Sequence, residues 1–468
     1  MKSLLLPLTM IGALAIPSMA VANNSVDKAS LEKAHQLRDN ALRSHLGYDI
    51  VESLTVEVGP RLAGTPADLV AVAWAEDKFK ALGFDKVYKQ PVEVRHWERG
   101  FAKASITAPF PQPLAITALG DSIATPKGGL KGELVFFDSV DELRQANPND
   151  VKGKIVYIDA RMHRHLEGKE YSTTVAGRSI GSSVASKKGA IGLIIRSIGT
   201  DSSRFPHTGN MNYKDGVKKI PAGAISTSDA MMLMQMKKRG LPISINMELE
   251  TRAYKPKTSY NVIGEITGSK YPDEYILIGA HLDSWDEGTG ALDDGAGVGI
   301  VMAAAHEIKK LKPKRTIRVV LFANEEGGLI GAKEYRRANA KELHKIKLAG
   351  ESDFGARNIW RFDSQVHPDN LDVMAHINKV LKPLSINSGN NKAGGGPDVS
   401  ILPEKGVPVF SLRQDGTDYF DYHHTPNDTL DKINPTELAQ NVAAWAVVAY
   451  ITAQADEKLL PLPKKKAK

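Results

Sequence analysis

Four apolar runs in the second half of the chain each lead into acidic or histidine residues. The runs are EYILIGA, RTIRVVLFA, HKIKLAG and VPVFSL, and their length and composition are typical of buried strands. Helix-like segments such as GAGVGIVMAAAHEIKKL separate them at the spacing of βαβ units. Because open α/β sheets bind ligands beyond the carboxyl ends of their strands, we predict that the functional residues meet at this edge.

The residues after these runs are rich in possible metal ligands. Crowded carboxylates repel one another and raise each other's pKa unless a cation lies among them. The chain has no cysteine, so nitrogen and oxygen ligands remain, which suit zinc, cobalt or manganese. One carboxylate can bridge two ions about 3.5–4 Å apart, and we therefore favour two ions over one. The candidates, in chain order, are His281, Asp283, Asp293, Asp294, Glu325, Glu326, Asp353, His423 and His424.

The sequence pattern changes between roughly 112 and 255. Short β-rich segments, among them GELVFFDS, KGKIVYIDA and GAIGLIIRS, are separated there by Gly, Pro and charged turns. The segment before it is helical in pattern, with Thr65 and Pro66 suited to the start of a helix. We therefore predict an α/β domain interrupted by a smaller insertion. The predicted segments are a signal peptide at 1–22, a first part of the main domain at 23–111, the insertion at 112–255, the second part at 256–460 and a basic tail at 461–468.

The first 22 residues have the pattern of an export signal. Lys2 precedes an apolar stretch, and Ala20-Val21-Ala22 resembles a cleavage site, so a periplasmic or secreted protein is expected. No other apolar run approaches membrane length. The net charge of +7 includes four lysines of the terminal PLPKKKAK, and no basic stripe interleaved with aromatic residues is present. Nucleic-acid binding is therefore not expected.

Five blocks together carry a family resemblance. The blocks HLDSW, GALDDGAG, FANEEGGLIGA, ESDFGA and HHTPNDT resemble the metal-site blocks of the M28 family of co-catalytic zinc peptidases, and in particular its carboxypeptidase Q-like dipeptidase branch. The resemblance implies a mixed, mostly parallel sheet sandwiched by helices, with an inserted β-rich protease-associated domain. It also implies an enzyme that acts on dipeptides or short peptides, and a homodimer.

The same resemblance implies a role for each site residue. Asp293 would bridge two Zn²⁺ ions, with His281 and Asp353 completing one site and Glu326 and His424 the other. Glu325 would be the general base for a metal-bridging hydroxide, Asp283 would orient His281, and a cis peptide would join Asp293 to Asp294. Each residue alone has a simpler interpretation, such as a helix cap for the Asp293-Asp294 pair or a solvated turn for Glu325-Glu326.

Two other functions are compatible with parts of the sequence. GRSIG, at 177–181, matches the G-x-S-x-G nucleophile elbow and would make Ser179 the nucleophile of a serine hydrolase. A catalytically silent protein that binds peptides through the insertion is the second alternative. For an exopeptidase, which must recognise a charged chain end, the predicted substrate contacts lie in NKAGGGPDVS and RQDGTDYFDYHH; they are Asn391, Asp398, Tyr419, Tyr422 and His423.

Overall fold

The computed structural model describes residues 25–456 and 458–463. The predicted signal peptide and the lysines from 464 onward lie outside the described residues. The strands are, in chain order, β1 (Lys86–Val94), β2 (Trp97–Glu98), β3 (Ala102–Ala108), β4 (Gln112–Leu114), β5 (Ile116–Ala118), β6 (Leu130–Phe137), β7 (Ile155–Ile158), β8 (Gly192–Arg196), β9 (Ala222–Ile225), β10 (Ser244–Leu249), β11 (Arg252–Ala253), β12 (Lys257–Ile266), β13 (Tyr271–His281), β14 (Arg315–Phe322), β15 (Ile346–Glu351), β16 (Ile359–Gln365), β17 (Asn387–Ser388) and β18 (Val409–Gln414).

The α-helices pack on both sheets. They are, in chain order, α1 (Lys28–Ala41), α2 (Leu46–Glu57), α3 (Pro66–Ala81), α4 (Val140–Gln145), α5 (Pro148–Val151), α6 (Tyr171–Lys187), α7 (Thr227–Lys237), α8 (Ala296–Lys309), α9 (Ile330–Ala338), α10 (Leu371–Leu381), α11 (Tyr419–Tyr422) and α12 (Pro435–Gln454). Among these described helices, none combines the length and the hydrophobicity needed to cross a membrane.

The sheet of the main domain has a parallel centre. Its strand order is β1-β12-β14-β13-β15-β18-β16-β17, with β14, β13, β15 and β18 parallel to one another. The strands β1 and β12 on one side and β16 on the other pair antiparallel, so the sheet is mixed, as predicted. The parallel centre brings the carboxyl ends of the apolar runs to one edge.

Helices cover both faces of this sheet. Successive residues of β13 alternate between two cores: Ile276 and Ile278 pack in the same core as α8 and α12, whereas Tyr275 and Leu277 pack with residues of α9. This alternation follows from the pleat of a strand, and a strand buried on both faces is apolar at nearly every position. The continuous run EYILIGA is therefore explained.

The second sheet forms the inserted domain. Its order is β4-β3-β10-β6-β7-β8-β9-β5, with β6 to β9 parallel and the outer strands antiparallel. The strand β3 belongs to this sheet although it lies before the predicted start at residue 112. Part of the inserted domain shares the main core: Ile158 and Leu193 belong to the same apolar cluster as α8 and α12. The two domains are therefore packed together rather than joined only by linkers.

Candidate active site

The parallel register explains why distant residues converge. His281 of β13 lies beside Phe322 of β14, and Gly279 lies beside Glu351 of β15. The segments that follow these strand ends carry Asp283, Glu325-Glu326 and Asp353. The strand β18 runs parallel to β15 and leads to α11 and the paired histidines. Four separate segments thus meet at one edge, as the sequence predicted.

The first group of possible ligands is His281, Asp293 and Asp353. The His281 Nε2 lies 3.0 Å from Asp293 Oδ1 and 3.7 Å from Asp353 Oδ1. The Nδ1 of the same ring lies 2.9 Å from the carbonyl oxygen of Asp283. Because a carbonyl only accepts, Nδ1 donates to it, and Nε2, which faces the two carboxylates, is the nitrogen that a metal would bind.

The second group forms around His424. Its Nε2 lies 3.1 Å from Glu326 Oε2 and 3.3 Å from Asp293 Oδ2. Its Nδ1 lies 3.2 Å from the carbonyl oxygen of Thr208, so Nε2 is again the nitrogen that faces the carboxylates. The ring of His423 stacks on that of His424, with centroids 3.5 Å apart, and with Asp293 the two histidines also have the spacing of a metal site.

Asp293 faces both groups, one with each carboxylate oxygen. Its backbone is fixed by Asp428, whose carboxylate accepts hydrogen bonds from the Leu292 and Asp293 amides at 2.6 and 3.2 Å. The peptide bond from Asp293 to Asp294 is cis. Asp294 accepts from the His281 amide and from the Gly297 amide, so it caps α8 while it holds the end of β13. A helix cap and a site residue are therefore combined in this pair.

Burial shifts the pKa values of several carboxyl groups at the site. Burial raises the pKa of Glu325 and of Asp294 well above the usual range, and it raises the pKa of Glu351 to about 8. Burial alone would also raise the pKa of Asp293, but hydrogen bonds with His281 and His424 hold it well below its usual value. Burial therefore favours the neutral form of these carboxyl groups unless positive charge lies among them.

The residues present fit zinc. The donors are imidazole nitrogens and carboxylate oxygens, which zinc accepts, and His281 and His424 each turn Nε2 toward Asp293. The buried Glu326 Oε1 has no hydrogen-bond partner among the described residues. A buried carboxylate oxygen without a partner is costly, and metal coordination would satisfy it.

A cavity of about 390 Å³ opens onto these groups. Its lining includes Asp293, Glu325, Glu326, Asp353, Tyr419, His423 and His424. Glu325 is fixed at its backbone, where its amide donates to Asp283 Oδ1 at 3.1 Å. The Asp283 carboxylate itself lies behind the cavity, 3.7 Å from the His281 Nδ1.

Three of the five predicted substrate contacts are not in this lining. The side-chain amide of Asn391 forms hydrogen bonds with Ser364 and Val366 and holds an outer loop in place. Asp398 is buried next to Glu351, whose carboxylate accepts from the Asp398 amide at 2.6 Å. Tyr422 lines a separate cavity of about 320 Å³.

Inserted-domain residues form much of the remaining wall. They are Tyr171, Val175, Arg178, Ser179, Asn210 and Asn212. Arg178 is buried, donates to the Tyr171 hydroxyl at 2.7 Å and to the Thr208 carbonyl at 3.2 Å, and its Nε has no hydrogen-bond partner among the described residues. The sequence did not single out Arg178, because its neighbours in the chain carry no metal-site pattern.

The alternative interpretation of Ser179 as the serine of a nucleophile elbow is wrong. An elbow places the serine on a sharp turn from strand to helix, whereas Ser179 lies inside the 17-residue helix α6. The two glycines of GRSIG are four residues apart, on one helix face. A Cβ at Gly177 would lie 3.5 Å from Ile158, and one at Gly181 would lie 3.2 Å from Leu193. The glycines therefore permit close packing of α6 on the sheet.

Comparisons with known proteins agree with this arrangement. The model described as Peptidase family M28 matches residues 261–449, and that described as PA domain matches residues 130–233. Carboxypeptidase Q of Homo sapiens is 36% identical over 414 residues, covering 88% of this chain and 86% of that protein. Aminopeptidase YwaD of Bacillus subtilis is 24% identical over 476 residues, covering 98% and 96%. The crystal structure of a peptidase M28 precursor from Shewanella amazonensis SB2B is 57% identical, with a TM-score of 0.92 and coverage of 93% of this chain and 99% of that one.

Proposed function

The chain belongs to peptidase family M28, and from that premise we propose that it is a two-zinc exopeptidase that hydrolyses dipeptides and other short peptides. The observation that carries the proposal is the position of Asp293, which turns one carboxylate oxygen to His281 and the other to His424. His281, Asp293 and Asp353 would hold one ion. Asp293, Glu326 and His424 would hold the other.

Glu325 is the proposed general base. When bound, zinc polarises the scissile carbonyl and lowers the pKa of the attacking water. Glu325 lines the cavity together with Asp353 and Glu326, and burial raises the pKa of its carboxyl group, which makes the ionised form a stronger proton acceptor. It would accept a proton from the water and transfer it to the leaving amine. Asp283 would keep Glu325 in place through the Glu325 amide.

Arg178 is the proposed contact for the free carboxylate of the substrate. It is buried, lines the cavity and keeps one N–H, at Nε, without a partner among the described residues. An arginine so placed can bind a carboxylate with a charge-assisted hydrogen bond. A cavity walled in part by an inserted domain also limits substrate length, which favours dipeptides.

Export and dimerisation complete the proposal. The N-terminal sequence at 1–22 supports export, and the family resemblance supports a homodimer. N-terminal sequencing of the protein from the cell envelope and the medium tests the first. Sedimentation of the purified protein tests the second.

The function itself is tested with metal analysis and a set of peptides. We expect two zinc ions per chain, loss of activity with a chelator, recovery with zinc and no inhibition by a serine-reactive phosphonate. Dipeptides with a free carboxyl end should be cleaved faster than their amides. Arg178→Met should remove that preference, largely through KM. One zinc ion per chain, or equal cleavage of acids and amides by the unmodified enzyme, would contradict the corresponding part of the proposal.

A further inference from the structure

We propose that the inserted domain sets the zinc affinity of one of the two metal positions, the one formed by Glu326 and His424 with Asp293. The inference rests on the two-zinc function proposed above. It assigns a second task to a domain whose sequence carries none of the ligands. Asp293 is common to both metal positions, whereas Glu326 and His424 belong to this one alone. One set of contacts from the inserted domain supports each of these two residues.

The first set holds His424. The Thr208 amide donates to the His424 carbonyl at 3.0 Å, and the His424 Nδ1 donates to the Thr208 carbonyl at 3.2 Å. The neighbouring His207 ring lies 2.7 Å from the His423 carbonyl oxygen. Residues 207–208, which we call the strap, therefore fix the backbone of both histidines and the ring of His424.

The backbone of His424 depends on such support. Its φ is 61°, in the left-handed region that residues other than glycine rarely adopt. A conformation of this kind persists when surrounding contacts determine it. The strap supplies two hydrogen bonds at this residue, so displacement of the strap would release the orientation of the His424 ring.

The second set holds Glu326. The Trp285 Nε1 donates to Glu326 Oε2 at 2.6 Å. The Trp285 ring is packed in the apolar core of the inserted domain, against Gly120. A Cβ at Gly120 would lie 2.2 Å from Trp285 Cη2, so the absence of a side chain at this glycine makes room for the ring.

Arg99 joins the two sets. It is buried, it pairs with Asp286 at 2.6 Å beside Trp285, and it donates to the Thr208 hydroxyl at 3.0 Å. The strap and the packing site of the Trp285 ring are thus parts of one hydrogen-bonded network. By contrast, His281 is held by the Asp283 carbonyl and the Asp294 carboxylate, both within thirteen residues of it in the chain.

Gly120→Ala is the decisive variant. It lies in the inserted domain and contacts no ligand, and its added methyl group must displace a buried, rigid ring. Partners behind metal ligands typically change metal affinity about 10–100-fold. We expect a loss in that range at the Glu326–His424 position and no change at the His281–Asp353 position. Gly177→Ala is the matched control, because its Cβ would lie at the ordinary distance of 3.5 Å from Ile158 in the same domain.

Zinc titration of the metal-free full chain, in competition with a chromophoric chelator, measures both steps. The steps are assigned by repeating Gly120→Ala in an Asp353→Ala background and in a Glu326→Ala background, and the effect should appear in the first background alone. Trp285→Phe, which keeps a ring but lacks the donor, should weaken the same step. If the unmodified protein binds zinc in two steps, and Gly120→Ala weakens both steps equally or weakens neither, this inference alone is overturned. A single step in the unmodified protein would overturn the two-zinc function and this inference with it.

Discussion

His281 and His424 present the same atom, Nε2, to the same aspartate, but different parts of the molecule hold them. The His281 ring is fixed by a carbonyl two residues further along its own loop. The His424 ring is fixed by the Thr208 carbonyl, 216 residues away in the inserted domain. Equivalent ligand chemistry is therefore obtained once from local chain geometry and once from contact between domains. The first position should tolerate changes in the inserted domain, and the second should not.

The largest expected effect is common to both positions. Glu325→Gln keeps the shape of the side chain but cannot accept a proton, so kcat should fall about 10²–10⁴-fold. Zinc content and thermal stability should remain those of the unmodified enzyme. Steady-state kinetics and metal analysis of the same preparation check this expectation. If Glu325→Gln lost zinc instead, the roles of Glu325 and Glu326 would be exchanged.

The next effect separates the two positions. Glu326→Ala and Asp353→Ala each remove one proposed ligand, and each should weaken zinc binding at its own position by more than about 100-fold, above the range for partners behind ligands. Because bound metal stabilises the folded state, both should unfold at lower temperature, and added zinc should reverse part of the loss. Calorimetric scans with and without zinc measure this. Only Glu326→Ala should also increase amide hydrogen exchange in the strap, residues 207–208. Equal exchange in the two variants would contradict the view that only the Glu326–His424 position depends on the inserted domain.

A smaller effect is expected from the partner of His281. Asp283→Asn preserves the backbone carbonyl that binds the ring but weakens the acceptor of the Glu325 amide. The rate should fall about tenfold, at the low end of the range of about 10–100-fold for partners of metal ligands. Zinc affinity at the Glu326–His424 position should be unchanged. Kinetics and zinc titration of this variant, beside Trp285→Phe, would show whether the two positions respond independently.

The smallest effect is expected at Ser179. Ser179→Ala removes a hydroxyl from the cavity wall without disturbing α6, since alanine favours helices. Turnover should stay within a few-fold of that of the unmodified enzyme, measured on a dipeptide substrate. Loss of activity to background would restore Ser179 as a candidate nucleophile despite its place in a helix.

The sequence predicted the features that arise from nearby residues. Buried strands were recognisable because β13 and β14 are apolar at successive positions, and α3 begins at Pro66 after Thr65, as predicted. The edge strand β1 was not predicted. Its sequence KVYKQPVEV contains Pro91 and mostly exposed side chains, because it needs only one partner strand and covers little core.

The rest of the site depends on contacts that no local pattern shows. Arg61, fully buried, donates to carbonyls of the loop that leads to Asp293, among them those of Leu282 and Gly290. Arg178 and Trp285 likewise act on residues from distant parts of the chain. Asp398 was misplaced for the opposite reason: its polar side chain beside a glycine-rich loop suggested a pocket wall, yet it is turned into the protein next to Glu351.

The strap acts on His424 through the main chain of Thr208, and this affects how the enzyme could be engineered. A hydrogen bond from a peptide group does not depend on the amino acid that carries it, so an alignment would not reveal the contact. The inserted domain could be exchanged for that of a relative to obtain a different substrate range. The exchange would replace this peptide group together with the packing site of the Trp285 ring. Such chimaeras should be tested first for metal loading, because an inactive one could have an intact substrate pocket and an empty second position.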